Sequence, residues 1–157
     1  MLRALAFALI CCGWLLGQQK YTGPMPEKAD LPYLVHADNL VATEAGEAKE
    51  EDRKGDHIAI IPGATSPAAT PLTSPIFIIR ADKISPDQLE IYKLETKNGQ
   101  REVILAHKNK PVAKPIISNV TKVGDDLYKL EVEQDLPVGE YSISPRGSNQ
   151  VFCFRVY

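Results

Sequence analysis

The dipeptide Asn98-Gly99 constrains the fold most, because of what flanks it. Glu90-Ile91-Tyr92-Lys93-Leu94-Glu95-Thr96-Lys97 runs into it, and Gln100-Arg101-Glu102-Val103-Ile104-Leu105 leaves it. Two such runs joined by Asn-Gly specify a β-hairpin, since a type I′ turn needs positive φ at both central residues. A two-residue loop also fixes the register. It sets Leu94 opposite Val103 and Tyr92 opposite Leu105 on one apolar side. The same register puts Glu95 opposite Glu102, a like-charge pair that weakens the hairpin unless both acids are well solvated.

Similar runs recur along the chain. Leu127 to Glu133 places Tyr128, Leu130 and Val132 on one face, with Lys129, Glu131 and Glu133 on the other. Val123-Gly124-Asp125-Asp126 before it reads as a turn that follows a strand over 116–122. Glu140 to Ser144 turns Tyr141 and Ile143 inward, and Pro145 to Asn149 is a second turn. Val151 to Val156 closes the chain with Phe152, Phe154 and Val156 on one face. Earlier candidates are Tyr33 to His36, Leu40 to Thr43, His57 to Ile61 and Ile76 to Arg80. About nine short strands with frequent turn signals predict an all-β chain, an antiparallel β-sandwich rather than a parallel α/β sheet. Ser85-Pro86-Asp87-Gln88 has the shape of a capping box with Pro at N1 and predicts one short helical turn.

Two stretches lack this alternation. Glu44 to Asp56 carries six acids and three bases in thirteen residues. Gly46 and Gly55 disfavour a helix there, so a charged β-arm turning near Lys54-Gly55 is expected. Its charge would keep a strand edge from pairing with other chains. Pro62 to Pro75 contains four prolines and reads as a crossover loop, with an O-glycosylated or protease-sensitive segment as the alternative.

Residues 1–17 differ from the rest. Arg3 is their only charge, and the apolar run from Ala4 to Leu16 is broken only by Gly13. This is the pattern of a signal-peptide helix, with cleavage expected after Gly17. This 13-residue run falls short of the roughly 20 that a membrane span needs. A lipoprotein signal at Cys12 is disfavoured because Cys11, not a small residue, precedes it. Residues 18–30, with Pro24 and Pro26, read as an extended linker, and 31–157 as a single domain. The exported chain, periplasmic or extracellular, would keep about 140 residues, lose Trp14 and retain Cys153 alone of three cysteines. It therefore has no internal disulfide to rely on. Cys153 sits in an apolar strand and reads as a small buried hydrophobe; if exposed, it offers an intermolecular disulfide. A net charge of −2 provides no basic excess for phosphates, which removes nucleic acid as an expected partner.

The usual catalytic signatures are missing: there is no Gly-rich phosphate loop, G-x-S-x-G elbow, HExxH or CxxC. His36, His57 and His107 lie 21 and 50 residues apart, without ligand spacing. Met25 is the only methionine after the leader, and Asp125-Asp126 lacks the alternating acids of a calcium loop. Accordingly, no catalytic, cofactor-binding or metal-binding residue is assigned, and no cofactor is expected.

One segment, Asp135-Leu136-Pro137-Val138-Gly139-Glu140-Tyr141-Ser142-Ile143, resembles the turn and penultimate strand of immunoglobulin-like sandwiches in exported bacterial proteins. The resemblance implies a tyrosine corner at Tyr141, ring in the core and hydroxyl bonded to nearby backbone. Ile143 stands where antibody-type domains carry cysteine, so their disulfide is not implied. A fold of this kind implies no activity. The leading expectation is a non-enzymatic exported module that binds a protein or cell-surface component and shows an exposed apolar patch or open strand edge. A small secreted hydrolase is the alternative, requiring His36, His57 or His107 to meet an acid or serine in a pocket. A periplasmic carrier of metal or a small ligand is another.

Overall fold

The turns expected at Asn98-Gly99 and Lys54-Gly55 form where the sequence places them, each with positive φ at both central residues. Asn98 and Gly99 have φ of 52° and 77°, and Lys54 and Gly55 have φ of 51° and 91°. The computed structural model describes residues 21–157. The expected leader, its cleavage site and residues 18–20 of the linker lie outside the described residues.

The chain is all-β, with fourteen strand segments among the described residues. First come β1 (Pro32–His36), β2 (Asn39–Ala42), β3 (Glu44–Glu47), β4 (Lys49–Arg53) and β5 (Asp56–Pro62). The crossover loop carries the two-residue β6 (Ala69–Thr70) and leads to β7 (Ile76–Arg80). β8 (Leu89–Lys97) and β9 (Gln100–His107) make the Asn98-Gly99 hairpin. β10 (Lys110–Pro111), β11 (Ser118–Lys122), β12 (Leu127–Val132), β13 (Gly139–Pro145) and β14 (Gln150–Val156) complete the order. The number exceeds the expected nine because short or charged runs such as β3, β4, β6 and β10 carry no apolar alternation to announce them. The expected short helical turn forms over Pro86–Gln88 as a single 3₁₀ turn with Pro at its start. The Ser85 side chain does not cap it, since the Gln88 amide that a capping box would satisfy already donates to the Ser85 carbonyl at 2.9 Å.

Two sheets face each other. One has the order β11-β12-β7-β1-β2, the other β3-β14-β13-β8-β9-β5-β4, with β10 added to β9 and β6 to β14. Only the β6–β14 pairing is parallel. The two ends of the second sheet, β3 and β4, are halves of one continuous run separated by Ala48. The first half pairs with β14 and the second with β5. The sheet therefore curls until its ends meet in one segment. The charged run does turn at Lys54-Gly55, but it is no projecting arm; it is the closing strand of the curl.

Strand alternation divides the interior in two. On β14, Phe152, Phe154 and Val156 enter the main core between the sheets, while Val151 and Cys153 face into the curl. Phe77, Ile79, Leu130 and Leu34 of the five-stranded sheet meet Ile91, Tyr141 and Ile143 across that main core. The Tyr141 ring stacks on Phe154 at 5.4 Å, and Phe77 meets Phe154 edge-on at 5.0 Å. The Tyr141 hydroxyl donates to the Pro137 carbonyl at 2.5 Å. Inside the curl, Ala48, Ala59, Ile61, Leu94, Val151 and Cys153 form a second core against Val103 and Leu105.

The lead over 21–30 is extended but anchored. The Tyr21 amide donates to the Val123 carbonyl, and Arg80 to the Glu27 carbonyl. Asp30, at φ 58°, accepts the backbone amides of Asp82, Lys83 and Ile84. Partial desolvation pushes its carboxyl up, but those amides prevail and hold it below the ordinary carboxylate range.

Because Phe154 touches both aromatic partners and Tyr141 adds one hydroxyl bond, their substitutions should differ. Phe154→Ala is expected to cost about 3–5 kcal/mol, and Tyr141→Phe about 1 kcal/mol, in urea unfolding. Equal losses would show that the main core does not turn on Phe154.

Candidate functional site: two clefts that share a wall

The β8–β9 hairpin does not run its full length. Its ladder covers Lys97↔Gln100, Thr96↔Arg101 and Glu95↔Glu102, then stops. Beyond it β8 pairs with β13, from Leu94↔Glu140 to Leu89↔Pro145, while β9 pairs with β5. Leu94 and Val103 still share the inner core, but not as a cross-strand pair. The chain after β9 straps the widening gap. Lys110 pairs with His107, the Val112 amide donates to Leu105, and the Ile116 amide donates to Ile91 across the gap. The Glu95–Glu102 conflict is relieved: Glu102 has Arg53 at 3.2 Å and Lys97 at 3.5 Å, and Glu95 is exposed.

A cleft lies on each side of this divergence. The inner one, about 200 Å³, opens at the end of the curl. Its lining is apolar at Ala59, Ile61, Val103, Leu105 and Val151 and polar at Glu90, Tyr92, Ser142, Ser144 and Arg146. Glu90 accepts the Tyr92 hydroxyl and the Arg146 guanidinium, each at 2.8 Å. Burial and then the Glu90 carboxylate push the Tyr92 phenol up to about 12, so it stays a neutral donor. The outer cleft, about 290 Å³, lies between Lys93 and Glu95 of β8, Glu102 and Ile104 of β9, and the strap residues Val112, Lys114 and Ile116. Tyr92 and Val103 line both clefts. Ile104 is 36% and Val112 50% exposed at the outer lip.

A buried ion pair holds the curl. Arg101 is 0% exposed. Its two terminal nitrogens grip Glu44 of β3 at 2.7 and 3.0 Å. The same guanidinium donates to the Pro62 and Gly63 carbonyls at 2.8 and 3.0 Å and lies 3.8 Å from Glu140 of β13. Glu140 in turn accepts Thr65 Oγ1 at 2.6 Å and the Ser66 amide at 2.9 Å, which packs the crossover loop. Burial pushes the Glu44 carboxyl up, but the Arg101 hydrogen bonds outweigh it and hold Glu44 below its ordinary range. The sequence did hold a signal for Arg101: it stands in phase with Val103 and Leu105 on a half-buried strand.

The three histidines line neither cleft. His57 meets Asp52 at 3.0 Å and Glu50 at 3.3 Å on the exposed β4–β5 hairpin, chiefly the Asp52 bond raising its pKa. His107 meets Asp56 near the same tip, and His36 meets the buried Thr70 hydroxyl at 3.3 Å in the other sheet. Two of them thus meet an acid, but on the surface and away from Ser142 and Ser144. Among the described residues no group of three or more His, Cys, Asp or Glu side chains is placed to hold a metal ion. No helix among them is long and apolar enough to cross a membrane. Cys153 is 1% exposed, and burial pushes its thiol up to about 12. The small buried hydrophobe is the reading that fits. No protein-family model, curated protein or solved structure matches this chain.

Removing the guanidinium strands two acids. Arg101→Met should cost about 3–5 kcal/mol in urea unfolding, because Glu140 is left buried without its cation. Since Glu44 is depressed in the fold, its pairing stabilises the protein above its unfolded pKa of roughly 4.3 and is lost as pH falls through the folded value. Glu44→Gln should therefore flatten the fall of the urea midpoint on the acid side; an unchanged fall would deny the pair that role. Cys153 should resist a thiol reagent at pH 8 until urea unfolds the chain. Rapid labelling of the native protein would contradict its burial.

Proposed function

We propose that this chain is an exported, non-enzymatic module that binds a protein or cell-surface component through the outer cleft where β8 and β9 part. The observation that carries the reading is the convergence of exposed Ile104 on β9 and Val112 on the strap in one concave site, where the Val112 and Ile116 amides tie the strap to Leu105 and Ile91. Export is supported by Arg3, the apolar run from Ala4 to Leu16 and the small Gly17 that follows. An immunoglobulin-like kinship is supported by Tyr141, whose ring lies in the core and whose hydroxyl bonds the backbone four residues upstream. The hydrolase alternative is disfavoured because Ser142 and Ser144 have Tyr92, Glu90 and Arg146 as cleft neighbours and no histidine to act as base.

The test is recovery of one partner from the envelope of the native host by the purified mature domain. Ile104→Asp with Val112→Asp should abolish that recovery while changing the unfolding free energy by no more than about 0.5 kcal/mol each, as expected of exposed sites. Equal recovery by wild type and variant would overturn the assignment of this cleft.

A further inference from the structure

We propose that the two adjoining clefts accept an anionic amphiphile, its single acyl chain passing between β8 and β9 past the shared wall and its acidic head resting on Lys93 and Lys114. This inference rests on the reading of the outer cleft as the binding surface, and it names the chemistry of what is bound.

The apolar part of the site centres on the shared wall. Tyr92 and Val103 line both clefts, so one layer of side chains separates the outer cleft from the inner one. A chain entering past Ile104 and Val112 and displacing the Tyr92 edge meets an aliphatic surface of Ile61, Leu105 and Val151. The site is concave, which suits a single chain; a bilayer surface needs apolar side chains that stand proud of the fold.

The charged half is local. From Val103 to Gly124 the sequence holds no acid and four lysines, in a chain of net charge −2. The strap is the part of that stretch that crosses the gap, and it brings Lys114 to the cleft opposite Lys93 of β8. Of the two acids there, Glu102 is matched by Arg53 and Lys97. Glu95 alone remains against two exposed lysines. At the far end Arg146 is matched by Glu90 at 2.8 Å, so the inner cleft offers an acidic head no unmatched cation. The head therefore belongs at the outer end and the tail inside.

The measurement is calorimetric titration of the mature domain with dodecanoate below its micelle concentration, with amide chemical shifts followed by NMR. Saturable one-to-one binding is expected, with shifts at Tyr92, Val103, Ile104 and Val112. Dodecylammonium should bind about tenfold more weakly. Lys93→Glu with Lys114→Glu, both exposed and so harmless to folding, should weaken dodecanoate by about tenfold or more. Indifference to head charge, indifference to the lysine changes, or absence of saturable binding would each overturn the inference. So would binding to phosphatidylglycerol vesicles without binding of monomeric dodecanoate, which would mean surface adsorption. If dodecanoate fails while the envelope partner is still lost with Ile104→Asp and Val112→Asp, the acyl ligand falls and the docking function stands.

Discussion

A guanidinium sealed from water must find its partners inside the protein, and Arg101 finds them on parts of the chain far apart in sequence. Its bonds reach Glu44 on β3 and the carbonyls of Pro62 and Gly63, and its charge faces Glu140 on β13. β9 and β3 are not neighbours in the sheet, so these bonds cross the inside of the curl. Four hydrogen bonds satisfy most of the five donors, and among the described residues no buried polar side-chain atom lacks a partner. Such a cluster contributes little over an apolar core of the same volume, yet losing one member is costly. What it does in this fold is tie β3, β9 and the crossover loop together across the inside of the curl, with Glu140 of β13 beside it.

The curl explains why there are two cores and why there is a cleft. A flat second sheet would place one face on the five-stranded sheet and the other in water. Curling gives that other face an interior, which Val151, Cys153, Leu94 and Ile61 line. Within the curled sheet the β8–β9 ladder ends at Glu95↔Glu102, and the two strands part beyond it. The strap over 110–116 then supplies backbone partners to both sides, through Leu105 and Ile91, so the gap is stabilised rather than left as a frayed edge. The two clefts are what remains unfilled.

Much of the scaffold was legible because it obeys local rules. Asn98-Gly99 and Lys54-Gly55 turn where positive φ is needed, and the alternation in β14 predicts which residues enter the main core. Tyr141 behaves as the resemblance implied. The closing strand was harder, since Glu44 to Arg53 is charged throughout and its partners are chosen by tertiary contacts rather than by periodicity. The hairpin register holds only to Glu95↔Glu102; beyond it β8 keeps β13 and β9 keeps β5 on their opposite edges, and the strap enters between them. The candidate site was least visible. Its residues come from three segments, and the acid-free basic stretch after Glu102 is its one contiguous mark in the sequence.

The dependence of the curl on Arg101 is most directly tested by native-state hydrogen exchange on wild type and Arg101→Met. Faster exchange is predicted first at the amides of β3 and of 62–66, with β1, β7 and β12 still protected, because the five-stranded sheet has its own ladder and core. Uniform loss of protection across both sheets, or none in β3, would contradict the claim that this guanidinium holds the sheet closed.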